Sequence, residues 1–236
     1  MRKVDKNHLL FVEGDMYATR FEVFEPFEDP NIACSFHFYP FLFRDLRKGQ
    51  NLKKNIEQAL FKTVSLRDIF ERLKRPVWCG ETGASFNYGS RTIQENAIGD
   101  IIDIYEKLGI SWSVWTYKDA GSMGTVYPKR NSKWMTFSKR AKRKWDFWGD
   151  FEGRDKYIGE VIKKYPTDVC ELEKRKIGLR ILANYQLVLK EVYAKILQDI
   201  PFKEFLSCAE SFDYKNCEVW QAVADMVANH TKLHIS

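Results

Sequence analysis

Residues 75–83 read Arg-Pro-Val-Trp-Cys-Gly-Glu-Thr-Gly, and residues 109–118 read Gly-Ile-Ser-Trp-Ser-Val-Trp-Thr-Tyr-Lys. Each is a short apolar run, bounded by Pro or Gly, that closes on polar groups. That is the pattern of a buried strand with chemistry at its exit. Between them, Arg91 to Leu108 carries Ile98, Ile101, Ile102 and Tyr105 at helical spacing. Upstream the same alternation predicts strands over His8–Glu13 and Ile32–Tyr39 and a helix over Leu52–Lys74. With the later strands at Pro76–Glu81 and Ile110–Tyr117, the repeat of about 30 to 45 residues is that of parallel βαβ units.

Side chains alternate across a strand, so parity sorts the polar residues. In the second strand Ala33, Ser35, His37 and Tyr39 share one face, and Cys34, Phe36 and Phe38 the other. The corresponding faces elsewhere are Leu9, Phe11 and Glu13, then Ser111, Ser113 and Trp115, with Trp112 turned toward helices. In the third strand the same count ends on Glu81 and places Cys79 two residues beneath it, on the inner side. One face is therefore bulky and packs under helices, while the other ends at its C-terminal edge in reactive groups. A barrel interior has this form. An open doubly wound sheet would also have strand-end sites, but the chain has no glycine-rich phosphate loop.

Taken together, His8-Leu-Leu-Phe-Val-Glu13-Gly14-Asp15, Ser35-Phe-His37-Phe-Tyr39-Pro40, Arg75 to Gly83 and Gly109 to Lys118 resemble, in order, strands five to eight of glycoside hydrolase family 5. The resemblance implies an α/β fold, the C-terminal half of a (β/α)8 TIM barrel in residues 1–150, followed by a helical C-terminal extension in 151–236. It also implies a retaining hydrolase of β-glucosides or β-glucans that works through a covalent glycosyl-enzyme intermediate and needs neither metal nor organic cofactor. Residue by residue, Glu81 corresponds to the nucleophile, His37 and Tyr39 line the sugar site, and Trp115 is the floor under the reacting sugar. Glu13, Tyr17 and Lys118 correspond to cleft positions. Taken singly, these residues carry blander readings: a Gly-Glu pair at a strand end is ordinarily a loop carboxylate, a lone His a satisfied buried one, a Trp a core ring.

Retaining glycosidases need two carboxyl groups, and the family supplies the acid/base from an Asn-Glu-Pro at the end of strand four. The sequence contains none. Phe24-Glu25-Pro26 lacks the Asn and falls between strands five and six. The expectation is thus a fragment or split-gene product, inactive alone, whose partners are a β-linked oligosaccharide and the missing N-terminal barrel half. The rival reading is a non-catalytic carbohydrate-binding or scaffold protein that keeps the aromatic cleft without the acid.

The net charge of +6 is local, with eight Lys or Arg from Lys129 to Lys144 interleaved with Trp134, Trp145, Phe147 and Trp148. Stacking rings among cations suit single-stranded nucleic acid, but no nucleic-acid fold signature accompanies them. The expectation is a solvated basic loop and no nucleic-acid partner. Five cysteines without metal-like spacing argue against a disulfide framework and a zinc site. With no signal-peptide pattern at the first residues and no membrane-length apolar run, the expectation is a cytoplasmic protein without membrane contact. Beyond Arg154 strand signals cease. Ile177, Ile181, Tyr185, Val188, Val192 and Ile196 step along one helix face, and a further helix is predicted over Val219–Ala228.

Overall fold

The computed structural model describes residues 2–42, 51–86, 90–120, 122–145, 151–165 and 169–232. In chain order its main elements are β1 (Leu10–Glu13), β2 (Ile32–His37), α1 (Leu52–Thr63), β3 (Val77–Thr82), α2 (Arg91–Leu108), β4 (Ser111–Val114), α3 (Lys133–Trp145), α4 (Phe151–Ile162), α5 (Glu171–Gln198), α6 (Phe202–Glu210) and α7 (Gln221–Lys232). They fall into two compact units, one of residues 1–127 with 219–236 and the other of residues 128–218.

The first unit is a four-stranded sheet in the order β1-β2-β3-β4, parallel throughout. The β2–β3 and β3–β4 connections carry helices, as parallel crossovers require. Leu52–Lys74, expected as one helix, is two pieces. The backbone turns extended at Val64 (φ −101°, ψ 133°), and a π-type turn over Asp68–Leu73 follows. α2 is bounded as its sequence dictates. The Ser90 hydroxyl accepts from the Ile93 amide at 3.3 Å, and Gly109 ends the helix at φ 67°, a left-handed conformation open to glycine.

The helices cover one face of the sheet. Cys34, Phe36, Val77 and Cys79 lie buried against Ile56 and Leu60 of α1 and Ile98, Ile101, Ile102 and Tyr105 of α2. α7 joins the same core through Val223, which follows the buried Trp220, with Met226 and Val227 packed beside it. It also flanks β4, where His230 meets the Trp112 ring edge-on at 6.2 Å. The other face is open. Phe11 is 47% exposed, and it spans β2 to meet Trp78 edge-to-face with centroids 4.6 Å apart.

In the second unit, α3, α5 and α6 enclose a separate core of Phe137, Ala141, Ile196 and Cys208, with Trp134, Val192, Tyr193 and Leu197 packed on it. α5 begins at a capping box in which Glu173 accepts from the Cys170 amide at 2.9 Å. The basic stretch expected as a loop is helical from Lys133. Phe147 and Trp148 of that stretch lie outside the described residues. The sequence pattern places one break near 150. Packing divides the chain at 128 and 219 instead, because α7 buries its apolar stripe on the sheet unit while α3 buries its own with α5 and α6. Among the described residues no helix is long and apolar enough to cross a membrane, and all five cysteines are free thiols.

Candidate active site

Because the four strands are parallel, their C-terminal ends share one edge, and Glu13, His37, Glu81 and Trp115 all lie there. Strict alternation would not bring Glu81 to the open face. Phe36 pairs with Cys79, yet the next residue of β2, His37, pairs with Glu81, so Gly80 is an extra residue in β3. Such a bulge shifts every later residue of the strand by one position. Below it, Cys79 faces the helices with its thiol 3.3 Å from the Tyr105 hydroxyl, which corrects the inward placement expected from parity. At the bulge, Gly80 and Glu81 both present to the open face. A Cβ on Gly80 would come within 2.8 Å of Ser35 Oγ and 3.2 Å of His37 Nε2, so glycine there lets the histidine close over the strand.

Around Glu81 the groups converge. The Tyr39 hydroxyl donates to Glu81 Oε2 at 2.6 Å. His37 Nδ1 lies 3.5 Å from the same oxygen, and its Nε2 lies 3.4 Å from Glu13 Oε1. The imidazole thus stands between two carboxylates. The Glu81 side chain is 28% exposed, against 60% for Glu13. Burial, with the Glu81 carboxylate as acceptor and nearby negative charge, pushes the Tyr39 phenol far above its ordinary range, so it stays a donor at any physiological pH. Ser113 extends the support by donating to the Gly80 carbonyl at 2.6 Å.

Trp115 leaves β4 with its amide donating to Thr82 O at 2.7 Å, and its side chain is 47% exposed. A Cβ at Gly83 would clash with the Trp115 carbonyl, so glycine admits the close approach of these two strand ends. Lys118 lies further along the same loop, bridged to Val126, with its ammonium 5.7 Å above the Tyr117 ring. Tyr17 is exposed in the loop after β1, where Met16, Tyr17 and Ala18 all have φ between 53° and 58°. The structure therefore gathers Glu81, Tyr39, His37 and Glu13 into one cluster, sets Trp115 beside it, and puts Tyr17 and Lys118 on loops at the same edge. Sequence reasoning missed Gly80, Gly83 and Ser113, whose only signal is small size beside a polar strand end.

The loop after Glu81 is fixed from the other end of the chain. Phe86 stacks on Trp220 with centroids 4.3 Å apart and meets Tyr127 edge-on at 4.7 Å. The Trp220 indole donates to Glu95 at 2.6 Å, and the Arg91 guanidinium lies 5.1 Å over the indole. Among the described residues no three His, Cys, Asp or Glu side chains are grouped to hold a metal ion.

Chemically, a partly exposed carboxylate fixed on one oxygen by a phenol and set near an exposed indole is a candidate nucleophile or proton-transfer group. The chain is similar to several known proteins. The model of the cellulase family (glycosyl hydrolase family 5) matches residues 1–121. A β-xylosidase of Phanerodontia chrysosporium is 26% identical over 258 residues, covering 92% of this chain and 52% of its own length. The chain thus spans about half the length of that curated relative. The crystal structure of the clostridial cellulose synthase subunit Z from Clostridioides difficile aligns at a TM-score of 0.43 and 18% identity, over 52% of this chain and 46% of that one.

Proposed function

Because the chain belongs to glycosyl hydrolase family 5, we propose that it forms the nucleophile-bearing part of a retaining glycoside hydrolase acting on β-linked glucosides, β-glucans or xylosides. The observation that carries this is Glu81, brought by the Gly80 bulge to the strand edge and held by Tyr39 at 2.6 Å. In this reading β1 to β4 are strands five to eight of the barrel. The Tyr39 hydrogen bond occupies Oε2 and leaves Oε1 for attack at the anomeric carbon. Trp115 stacks under the sugar, a contact of the order of 1 kcal/mol beyond burial. His37 and Glu13 bind hydroxyls beside the reacting carbon, and Tyr17 and Lys118 line the cleft further out.

The proton donor is a second carboxyl about 5 Å from the nucleophile. Glu13 is separated from Glu81 by the whole imidazole of His37, so it does not take that place. The donor comes instead from polypeptide that pairs with the β1 edge and completes the barrel. With it present, Glu81 displaces the aglycone as the donor protonates the leaving oxygen, and the same group then deprotonates the water that releases the sugar.

Glu81→Ala in a protein with the complete barrel tests this. An activated aryl β-glycoside with azide should yield the α-glycosyl azide, because azide fills the space of the lost carboxylate. A β-glycosyl azide would assign Glu81 to acid/base work, and no rescue with an intact fold would remove it from the reaction.

A further inference from the structure

The net charge of the chain resides in one of its two units. Residues 128–218 hold 20 Lys or Arg against 14 Asp or Glu, a surplus equal to the whole chain's +6, so the sheet-bearing unit is balanced. α3 sorts the cations spatially. Its Phe137 and Ala141 are buried, whereas Lys133, Lys139, Arg140 and Arg143 are exposed. At 3.6 residues per turn these four fall within an arc of about 120° and run along about 15 Å of helix. Among the described residues none of them is paired with a carboxylate, and the Arg140 guanidinium lies 5.8 Å over the Phe137 ring.

A cationic helix face is ordinarily just solvated. Its place in the chain gives this one a further meaning. The unit departs after β4 and returns just before α7, and the two points are joined where the Trp220 amide donates to Thr125 O at 2.7 Å. It is an insertion into a strand-to-helix connection. Such connections carry recognition in parallel barrels.

We propose that the exposed face of α3 binds the carboxylate groups of uronic-acid-bearing β-glycans. The cations would pair with carboxylates spaced along a chain, and Arg140 and Arg143 would offer bidentate forks. The glycan identity rests on the family reading; the preference for a polyanion rests on the charge distribution alone.

Affinity electrophoresis of the full chain through gels containing glucuronoxylan, or the same polymer with its carboxyls reduced to alcohols, tests the proposal. Retardation should be strong with the first and much weaker with the second, for which only the neutral contacts of the sheet-edge site remain. The variant K139Q/R140Q/R143Q should bind glucuronoxylan about eightfold more weakly, since each exposed pair contributes about a factor of two. K139R/R143K should bind as the parent does. K133Q/R143Q, altered at the two ends of the strip, gives an independent reading should the triple variant lose helix by circular dichroism. Equal retardation by the reduced polymer would overturn the proposal, as would binding of duplex DNA at 0.15 M salt as tight as that of glucuronoxylan. Trp115→Ala separates the two readings. Loss of neutral xylan binding in that variant speaks to the sheet-edge site, whatever the α3 variants do.

Discussion

Tyr39→Phe isolates the contact on which the proposed nucleophile depends. The substitution deletes one hydroxyl and keeps the ring, whose packing against Phe41 at 5.3 Å between centroids is retained. What is lost is a 2.6 Å hydrogen bond to a carboxylate oxygen. A charge-assisted bond of this kind contributes about 1.5 to 3 kcal/mol. Glu81 is 28% exposed, so water can take the place of the phenol, and the lower end applies. About 1.5 kcal/mol corresponds to about a tenfold rate effect. The loss belongs to the glycosylation step, where Oε1 must be free and Oε2 held. It is read as kcat/KM for dinitrophenyl β-glycosides in a protein with the complete barrel. That leaving group departs without protonation, so the acid is removed from the comparison. A tenfold fall in kcat/KM is expected. An unchanged kcat/KM with the fold intact, or a loss confined to poor leaving groups, would refute the argument.

Tyr39 and Tyr105 are both pushed up, Tyr39 by burial and by Glu81, Tyr105 by complete burial. They should therefore resist ionisation at alkaline pH until the chain unfolds, as followed by absorbance near 295 nm. The folded-state values lie above the unfolded one near 10, so the stabilisation is whole below about pH 10 and is lost as pH rises beyond it. Trp220 is 1% exposed and stacked on Phe86, so Trp220→Ala should cost about 3 to 5 kcal/mol in urea unfolding of the sheet unit; a cost below 1 kcal/mol would detach α7 from that core. Burial raises the Cys34 thiol to about 11 and the Cys79 thiol to about 12, while Cys170 is exposed. Iodoacetamide at pH 8 should therefore alkylate Cys170 first and leave the two strand cysteines unmodified until the chain unfolds; early modification of Cys79 would contradict its placement against Tyr105.

Alternation and helical spacing carried the strands, the α2 face and the identity of the edge residues, because these follow from local periodicity. His37, Tyr39 and Trp115 could be placed that way. Cys79 could not. A one-residue bulge at Gly80 inverts every later parity in the strand, and a glycine beside a glutamate does not announce it. α7 was visible as a helix, but a periodic stripe states only that one face is buried, not against which surface. The partners of Trp220 at its start, Phe86 and Glu95, lie more than 120 residues away in the chain. The break at Val64 was hidden for a similar reason, since the stretch from Leu52 to Lys74 keeps its apolar spacing through the turn.

The proposed attack of Glu81 on the anomeric carbon can be caught by a covalent trap. A 2-deoxy-2-fluoro β-glycoside with a dinitrophenolate leaving group, given to a protein with the complete barrel, forms the glycosyl-enzyme and hydrolyses it slowly. Proteolysis and mass spectrometry should then find one sugar on the peptide containing Trp78-Cys79-Gly80-Glu81, fragmentation should place it on Glu81, and Glu81→Gln should abolish it. A sugar found on Glu13, or on any other carboxylate while Glu81 stays unmodified, would contradict the account.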